Sequence, residues 1–407
     1  MAKINNNYQK LQAGYLFPEI ARRTREFAKL NPGVELVKLG IGDTTLPLSP
    51  TVIKALRAAV DDLADAKTYT GYGIEQGNTE LRQALADYYA SLGVNIEADE
   101  VFVSDGAKPD SANIQSIFAD DSVIAVQDPV YPVYVDSAVI GGKTSGYEAG
   151  RYKGIVYMDC TEETVFFPDV PKQKVDLIYL CSPNNPTGAV ATHDQLKTFV
   201  DYAHEHDAVI IFDAAYSAFI SDSSLPRSIY EIEGAETCAI EINSFSKLAG
   251  FTGVRLGWAV VPHKLSVQGT HPGEVQSLWN RRQSTMFNGA SNIVQPGGLA
   301  VLSKQGMKEA RQLISYYMAN AKVIRDGLND VGITTFGGVN APYIWAKTPG
   351  GMDSWEFFDK LMDQAHVVGT PGAGFGSQGE GYFRLSAFGD RANVEKAVKS
   401  IEKNLHL

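Results

Sequence analysis

Between Asn243 and Trp258 the chain reads Asn-Ser-Phe-Ser-Lys-Leu-Ala-Gly-Phe-Thr-Gly-Val-Arg-Leu-Gly-Trp, which sets Ser244, Ser246, Lys247 and Arg255 close together. A lysine amine condenses with an aldehyde to give a Schiff base, and hydroxyls with a guanidinium can hold phosphate oxygens through hydrogen bonds and charge. The cluster suits a phosphorylated aldehyde. Taken alone, it reads equally well as a glycine-rich loop with solvated charges.

Other segments offer complementary groups. In Ile210-Ile-Phe-Asp213-Ala-Ala-Tyr216 an acid follows a buried-type strand. A carboxylate there can pair with a protonated pyridine nitrogen and keep the ring electron-poor, and the Tyr216 phenol can donate to a ring oxygen. A strand-ending Asp is also a common helix cap, so the partnership with Lys247 is what raises it above that role. Ser182-Pro-Asn-Asn185-Pro-Thr-Gly188 holds an asparagine amide in a proline-stiffened turn, able to donate to the same oxygen. Ser104-Asp-Gly-Ala107-Lys108-Pro109 reads as a strand-to-helix junction whose free amides can cradle a phosphate. Tyr131, in Asp128-Pro-Val-Tyr-Pro, can lie over a cofactor ring or simply pack.

These groups need a scaffold that brings strand ends together. Val101–Ser104, Val123–Gln127, Leu177–Cys181, Val209–Asp213 and Ala239–Asn243 are short apolar runs that alternate with amphipathic stretches, the layout of a largely parallel α/β sheet. Each run ends in polar or small residues, where an open sheet places its binding crevice. Lys108–Phe118 reads as a helix, and Asn78 and Thr192 as caps of two more. One long helix is expected over Pro296–Val331. We expect an N-terminal arm with part of a small domain over 1–45, a large domain over 46–291 and a small C-terminal domain over 292–407.

Composition narrows the class. A chain of 407 residues with 44% hydrophobic content can bury a large core without staples. The net charge of -11 argues against nucleic acid or an anionic membrane surface as partner. Three cysteines at no ligand spacing suggest neither a disulfide framework nor a metal site, and His204 and His206 lie too close on a helix to share a face. The polar start of the chain lacks a secretory layout, no apolar run is long enough to span a bilayer, and a cytoplasmic location is expected.

In order and over essentially the whole chain, these segments resemble the fold-type I, class I/II aminotransferases, which depend on pyridoxal 5'-phosphate. The resemblance implies an α/β fold, a three-layer αβα large domain with a mostly parallel sheet plus a smaller α/β domain. It implies that Lys247 anchors the cofactor and moves the substrate proton, that Asp213 meets the pyridine nitrogen, that Asn185 and Tyr216 meet the ring oxygen and that Tyr131 stacks on the ring. The amides of Ala107 and Lys108, with Ser244, Ser246 and Arg255, would hold the phosphate, aided by Tyr72 from a second subunit of a homodimer. Arg384, in Tyr382-Phe-Arg-Leu-Ser386, looks like the arginine whose planar fork takes the substrate α-carboxylate.

One branch is especially similar, the LL-diaminopimelate aminotransferases, through Leu39-Gly-Ile-Gly42-Asp-Thr-Thr, Gly71-Tyr72-Gly-Ile-Glu75-Gln-Gly, Met286-Phe-Asn288-Gly-Ala-Ser-Asn and Gly379-Glu-Gly-Tyr-Phe-Arg384. Such enzymes use glutamate to convert tetrahydrodipicolinate to LL-diaminopimelate on the route to lysine. By this resemblance Glu75 of the partner meets the distal ammonium, while Tyr15, Gly42, Lys108 and Asn288 line the distal carboxylate's site. Asn288 also reaches the cofactor, and Tyr131 and Asn185 the substrate. A broad-specificity aminotransferase, a lyase using the same cofactor and a non-catalytic ligand sensor are the alternatives.

Overall fold

The structure, a computed structural model, describes residues 1–12 and 16–406. Tyr15 lies outside the described residues.

A seven-stranded sheet organises the larger part of the chain. Its strands are β1 (Val101–Ser104), β2 (Ile124–Asp128), β3 (Ile155–Asp159), β4 (Leu177–Cys181), β5 (Val209–Asp213), β6 (Ala239–Ser244) and β7 (Gly257–Val260). They lie in the order β1-β7-β6-β5-β4-β2-β3, with β7 antiparallel to both neighbours and every other pairing parallel. All but the edge strand β3 are buried along their whole length, as a parallel sheet covered on both faces requires.

Alternation along each strand assigns the two faces. Ile210 and Phe212 of β5 pack with Leu196, Phe199 and Val200 of α6 (His193–His206), whereas Val209 and Ile211 pack with Tyr134 and Ala138 of α5 (Val133–Ile140) and Trp279 of α8 (Glu274–Met286). The three-layer architecture follows. Helix α6 begins in a capping box, in which Thr192 Oγ accepts from Gln195 N and Gln195 Oε1 accepts from Thr192 N. Asn78 caps α3 (Thr79–Ala90) through the amides of Glu80 and Leu81.

Two helical expectations need correction. The segment expected as one helix over Lys108–Phe118 is α4 (Ala107–Asn113) followed by a 3-10 turn, Ile114–Ile117. Ser111 and Ser116 donate to the carbonyls three residues earlier, which favours the tighter winding. The long helix expected over Pro296–Val331 is two, α9 (Val294–Leu302) and α10 (Lys304–Asp330). Ser303 breaks it: its backbone is extended, and its hydroxyl accepts from Gly306 N as an N-cap.

Packing distributes these two helices unequally. Val294, Leu299 and Val301 of α9 and Ala310 of α10 join the cluster of Leu81, Val103 and Trp258 under the large sheet. Farther along α10, Tyr317, Ala321, Ile324 and Leu328 join a separate cluster with Val367, Phe383 and Val394. That second cluster backs an antiparallel sheet of β8 (Thr335–Gly337), β9 (Tyr343–Lys347), β10 (Thr370–Pro371) and β11 (Tyr382–Ser386), in the order β8-β9-β11-β10. Val37–Lys38 pair with Val367–Val368, which ties the N-terminal segment to this second unit. The three cysteines are buried and free, and among the described residues no helix is long and apolar enough to cross a membrane.

Candidate active site

Strands β4, β5 and β6 deliver Cys181, Asp213 and Ser244 to one edge of the large sheet, where a cavity of about 700 Å³ opens toward β11. This is the crevice that a parallel sheet forms beyond its strand ends.

Lys247 sits one turn past β6, in the short helix Phe245–Leu248, and lines the cavity. Burial, assisted by the nearby charges of Arg384 and Arg255, lowers its ammonium pKa to about 8 against the opposing effect of Asp43. Its Nζ donates to the Gly42 carbonyl and lies 5.0 Å from the Phe388 ring centre. A substantial fraction of the amine is therefore neutral, and nucleophilic, only a little above neutral pH.

Asp213 ends β5 with both oxygens held: Oδ2 accepts from Tyr134 Oη at 2.6 Å and Oδ1 from the Ala215 amide at 3.0 Å. Burial pushes its pKa up, while those two donors pull it down. Each oxygen keeps a lone pair for a cationic N–H in the cavity. Tyr216 shares a 2.7 Å hydrogen bond with Tyr343, and both line the same space.

Arg384, on β11, is 2% exposed. Its Nη1 donates to Asn185 Oδ1 and its Nη2 to Gly40 O, each at 2.6 Å, and its guanidinium lies between Tyr343 and Phe375. Nε is buried with no partner, and among the described residues no acid forms an ion pair with Arg384. A desolvated guanidinium in that condition favours a carboxylate brought by a ligand. Asn185 spends its carbonyl on Arg384, so its NH2 remains as donor.

The opposite end of the cavity suits a phosphate. Arg255 Nη1 donates to Ser246 Oγ and Thr252 O, and Ser244 Oγ bonds both the hydroxyl and the amide of Ser246. Gly106 approaches so closely that a Cβ there would stand 2.6 Å from Arg255 Nη2, and its φ of +126° is one that side chains disfavour. Arg255 itself adopts a φ of +71°, a strained backbone held in place at the cavity wall. Ala107 and Lys108 open α4 beside it, and the Lys108 ammonium lies 5.9 Å from the Tyr131 ring centre. An amine nucleophile, a carboxylate for a ring nitrogen and a donor cluster for an anion thus line one cavity, and the residues fit pyridoxal phosphate.

The cavity brings together the predicted Gly42, Ala107, Lys108, Tyr131, Asn185, Asp213, Tyr216, Ser244, Ser246, Lys247, Arg255 and Arg384. Tyr72, Glu75 and Asn288 do not line it. Tyr72 is 90% exposed and borders a different cavity of about 620 Å³. Asn288, expected at the cavity with no reference to a second subunit, is instead exposed just beyond α8. The chain turns there at Gly289, whose Cβ position is 3.3 Å from Glu75 Cα, so Asn288 belongs with Glu75.

Sequence reasoning missed Tyr134, Tyr343, Gly40 and the wall formed by Phe17, Ile20 and Thr24 of α1 (Leu16–Leu30). Tyr134, three residues after Tyr131 at the start of a helix, was the one with a spacing signal. Away from the cavity, Glu97, Asp99 and His263 hold one ligand-type atom each within 4.8 Å of one another, a grouping the sequence spacing conceals.

The family description aminotransferase class I and II matches residues 34–401. The chain belongs to that family. It is a pyridoxal-phosphate-dependent aminotransferase of fold-type I. The structure of L,L-diaminopimelate aminotransferase from Chlamydomonas reinhardtii is similar with a TM-score of 0.93 at 46% identity, covering 99% of this chain and 98% of that one. An aromatic aminotransferase from Pyrococcus horikoshii matches at 25% identity and a TM-score of 0.79, over 94% and 98% of the two chains. Aspartate aminotransferase from Thermus thermophilus, at 22% identity and 0.84 over 99% and 100%, shares the fold. Within this aminotransferase, the lysine, the strand-end aspartate and the buried arginine are the groups around which the cavity is built.

Proposed function

We propose that this aminotransferase exchanges an amino group between LL-2,6-diaminopimelate and 2-oxoglutarate, giving glutamate and a 2-amino-6-oxo acid that closes to tetrahydrodipicolinate with loss of water, within lysine biosynthesis. The observation that carries this reading is the 46% identity, over nearly the full length of both chains, to an enzyme named for that substrate.

Bound pyridoxal phosphate supplies an aldehyde for the amino group and an electron sink for the charge left at the substrate Cα. We assign its phosphate to Ser244, Ser246, Arg255 and the amides of Ala107 and Lys108, its nitrogen to Asp213, its ring oxygen to Asn185 and Tyr216, and its face to Tyr131. Arg384 takes the substrate α-carboxylate, with Nε as the free donor and Asn185 fixing the guanidinium plane. Lys247 Nζ takes the proton from Cα, a task suited to an amine whose pKa lies at about 8. The aromatic walls around Arg384 keep water from that ion pair.

The distal end of diaminopimelate carries both charges. Lys108 and Gly42, with Tyr15, serve the distal carboxylate. Glu75 meets the distal ammonium, and it reaches the site, together with Tyr72 and Asn288, from the second subunit of a homodimer. Tyr72 and Asn288 are exposed, and Glu75 is half-buried beside Gly289, a joint position outside this chain's own cavity that supports that arrangement.

Steady-state assays with 2-oxoglutarate as acceptor test the substrate. LL-diaminopimelate is expected to be turned over with a higher kcat/KM than aspartate, alanine or aromatic amino acids. No reaction with diaminopimelate would overturn the reading in favour of a broad-specificity enzyme.

A further inference from the structure

Behind the phosphate end of the cavity lies a pair of buried side chains that none of the assigned roles uses. Ser104 closes β1 and Asp110 lies one turn into α4, and each is 2% exposed. Ser104 Oγ donates to Asp110 Oδ2 at 2.5 Å and accepts from the Gly106 amide at 3.3 Å. The backbone closes the same loop, since the Asp110 amide reaches Gly106 O at 3.5 Å. The turn that presents Ala107 and Lys108 is therefore clasped at both ends.

Its other sides are also fixed. Gly257 of β7 packs so tightly beneath that a Cβ there would meet Gly106 Cα at 2.5 Å, and Arg255 stands in front of Gly106. The Ser104–Asp110 clasp is the side-chain restraint that ties the start of the turn to α4 and opposes its relaxation away from Arg255. A buried carboxyl is an expensive means of holding a turn, because an apolar side chain would avoid its desolvation. Burial pushes the Asp110 pKa to about 7, with Asp105 in the turn acting in the same direction and Ser104 and Arg282 of α8 opposing.

We infer that Asp110 and Ser104 are positioning residues for the cofactor phosphate: they touch no ligand themselves but hold the Gly106–Lys108 amides and Arg255 at a fixed separation. This rests on the reading of the cavity as a pyridoxal phosphate site. A clasp of this kind contributes only when the ligand carries a phosphate.

That condition gives the test. Apoenzyme is titrated with pyridoxal phosphate and, separately, with pyridoxal, which lacks the phosphate, following the visible absorbance of the bound ligand and the quenching of tryptophan fluorescence. Ser104→Ala and Asp110→Ala are expected to raise the Kd for pyridoxal phosphate by about tenfold, the scale of one buried hydrogen bond, and to leave the Kd for pyridoxal within about twofold. Asp110→Asn keeps an acceptor for Ser104 and is expected to stay near the wild-type ratio. Equal losses with both ligands, or no loss with either, would overturn the inference. If Asp110→Ala does not fold, Ser104→Ala removes the same clasp with a smaller change and decides alone. A wild-type apoenzyme that fails to prefer pyridoxal phosphate over pyridoxal would instead sink the reading of the cavity.

Discussion

At Lys247 two effects coincide: burial disfavours the ammonium, and the charges of Arg384 and Arg255, which line the same cavity, act in the same direction against Asp43. The neutral fraction therefore grows as the pH rises toward 8. Capture of pyridoxal phosphate by the apoenzyme is expected to accelerate from about pH 6.5 through 8 and to level off about one unit above the lysine pKa, as stopped-flow absorbance would show; a rate that is flat across this range contradicts the nucleophilic role. Lys247→Ala should remove both the Schiff-base absorbance of the lysine-linked cofactor and the half-reactions. Lys247, Asp213 and Asn185 were legible in the sequence because each follows an apolar run at a strand end. Tyr134 and Tyr343 were not, because their chemistry is a hydrogen bond to a residue 79 and 127 positions away, respectively. Beyond the three-residue spacing of Tyr134 from Tyr131, nothing local marks such a partner.

Strand β6 carries the lysine loop at its end and a fully buried acid in its middle. Glu241 accepts from Tyr89 Oη, Ser228 Oγ and the Ile229 amide, and Tyr89 in turn accepts from Trp258 Nε1 of β7. Burial pushes its pKa to about 7 despite these donors. The folded protein therefore keeps a proton on Glu241 that the unfolded chain releases near pH 4.5, so this residue's contribution to stability declines as the pH rises from about 4.5 to 7. Glu241→Gln should flatten that decline, gaining on the wild type by on the order of 2 kcal/mol between pH 5 and pH 7 in urea unfolding. An unchanged pH profile would show the carboxyl to be ionised throughout. The elements themselves were readable where one period persists, as in α6 with its Thr192 cap. They were misread at Ser303, where two helices with apolar residues in similar phase meet and a single capping hydroxyl decides the break.

The molecule as a whole leaves Tyr69, Tyr72, Ile74 and Met286 exposed, a concentration of large apolar side chains in the same two segments that supply Glu75 and Asn288. Subunit exchange distinguishes a site shared between two chains from one built within a single chain. If the proposed homodimer shares its sites, the Lys247→Ala and Glu75→Gln variants, each defective with diaminopimelate, are expected to recover activity when unfolded together and refolded, because about half of the dimers are then mixed and each holds one intact site. No recovery would place both residues in one chain's site. Glu75→Gln alone should depress diaminopimelate turnover far more than glutamate turnover, and equal losses would remove its distal role. The residues proposed to come from a second subunit were visible as sequence segments, yet nothing in a linear chain says which copy of a residue faces which cavity.

Arg384, finally, makes the resting enzyme less robust than its fold allows. Among the described residues the buried guanidinium has no acid paired with it and its Nε has no partner, and a buried donor left in that condition costs about 1–3 kcal/mol relative to a bonded one. Part of the affinity for a carboxylate is thus stored as thermal weakness in its absence. A saturating dicarboxylate such as 2-oxoglutarate should raise the melting temperature of the wild type and fail to do so in Arg384→Gln, which differential scanning calorimetry would read directly. On this view the enzyme's sensitivity to heat and its grip on substrate are the same property of one side chain, and a substitution that hardens the pocket against heat would blunt it toward its ligand.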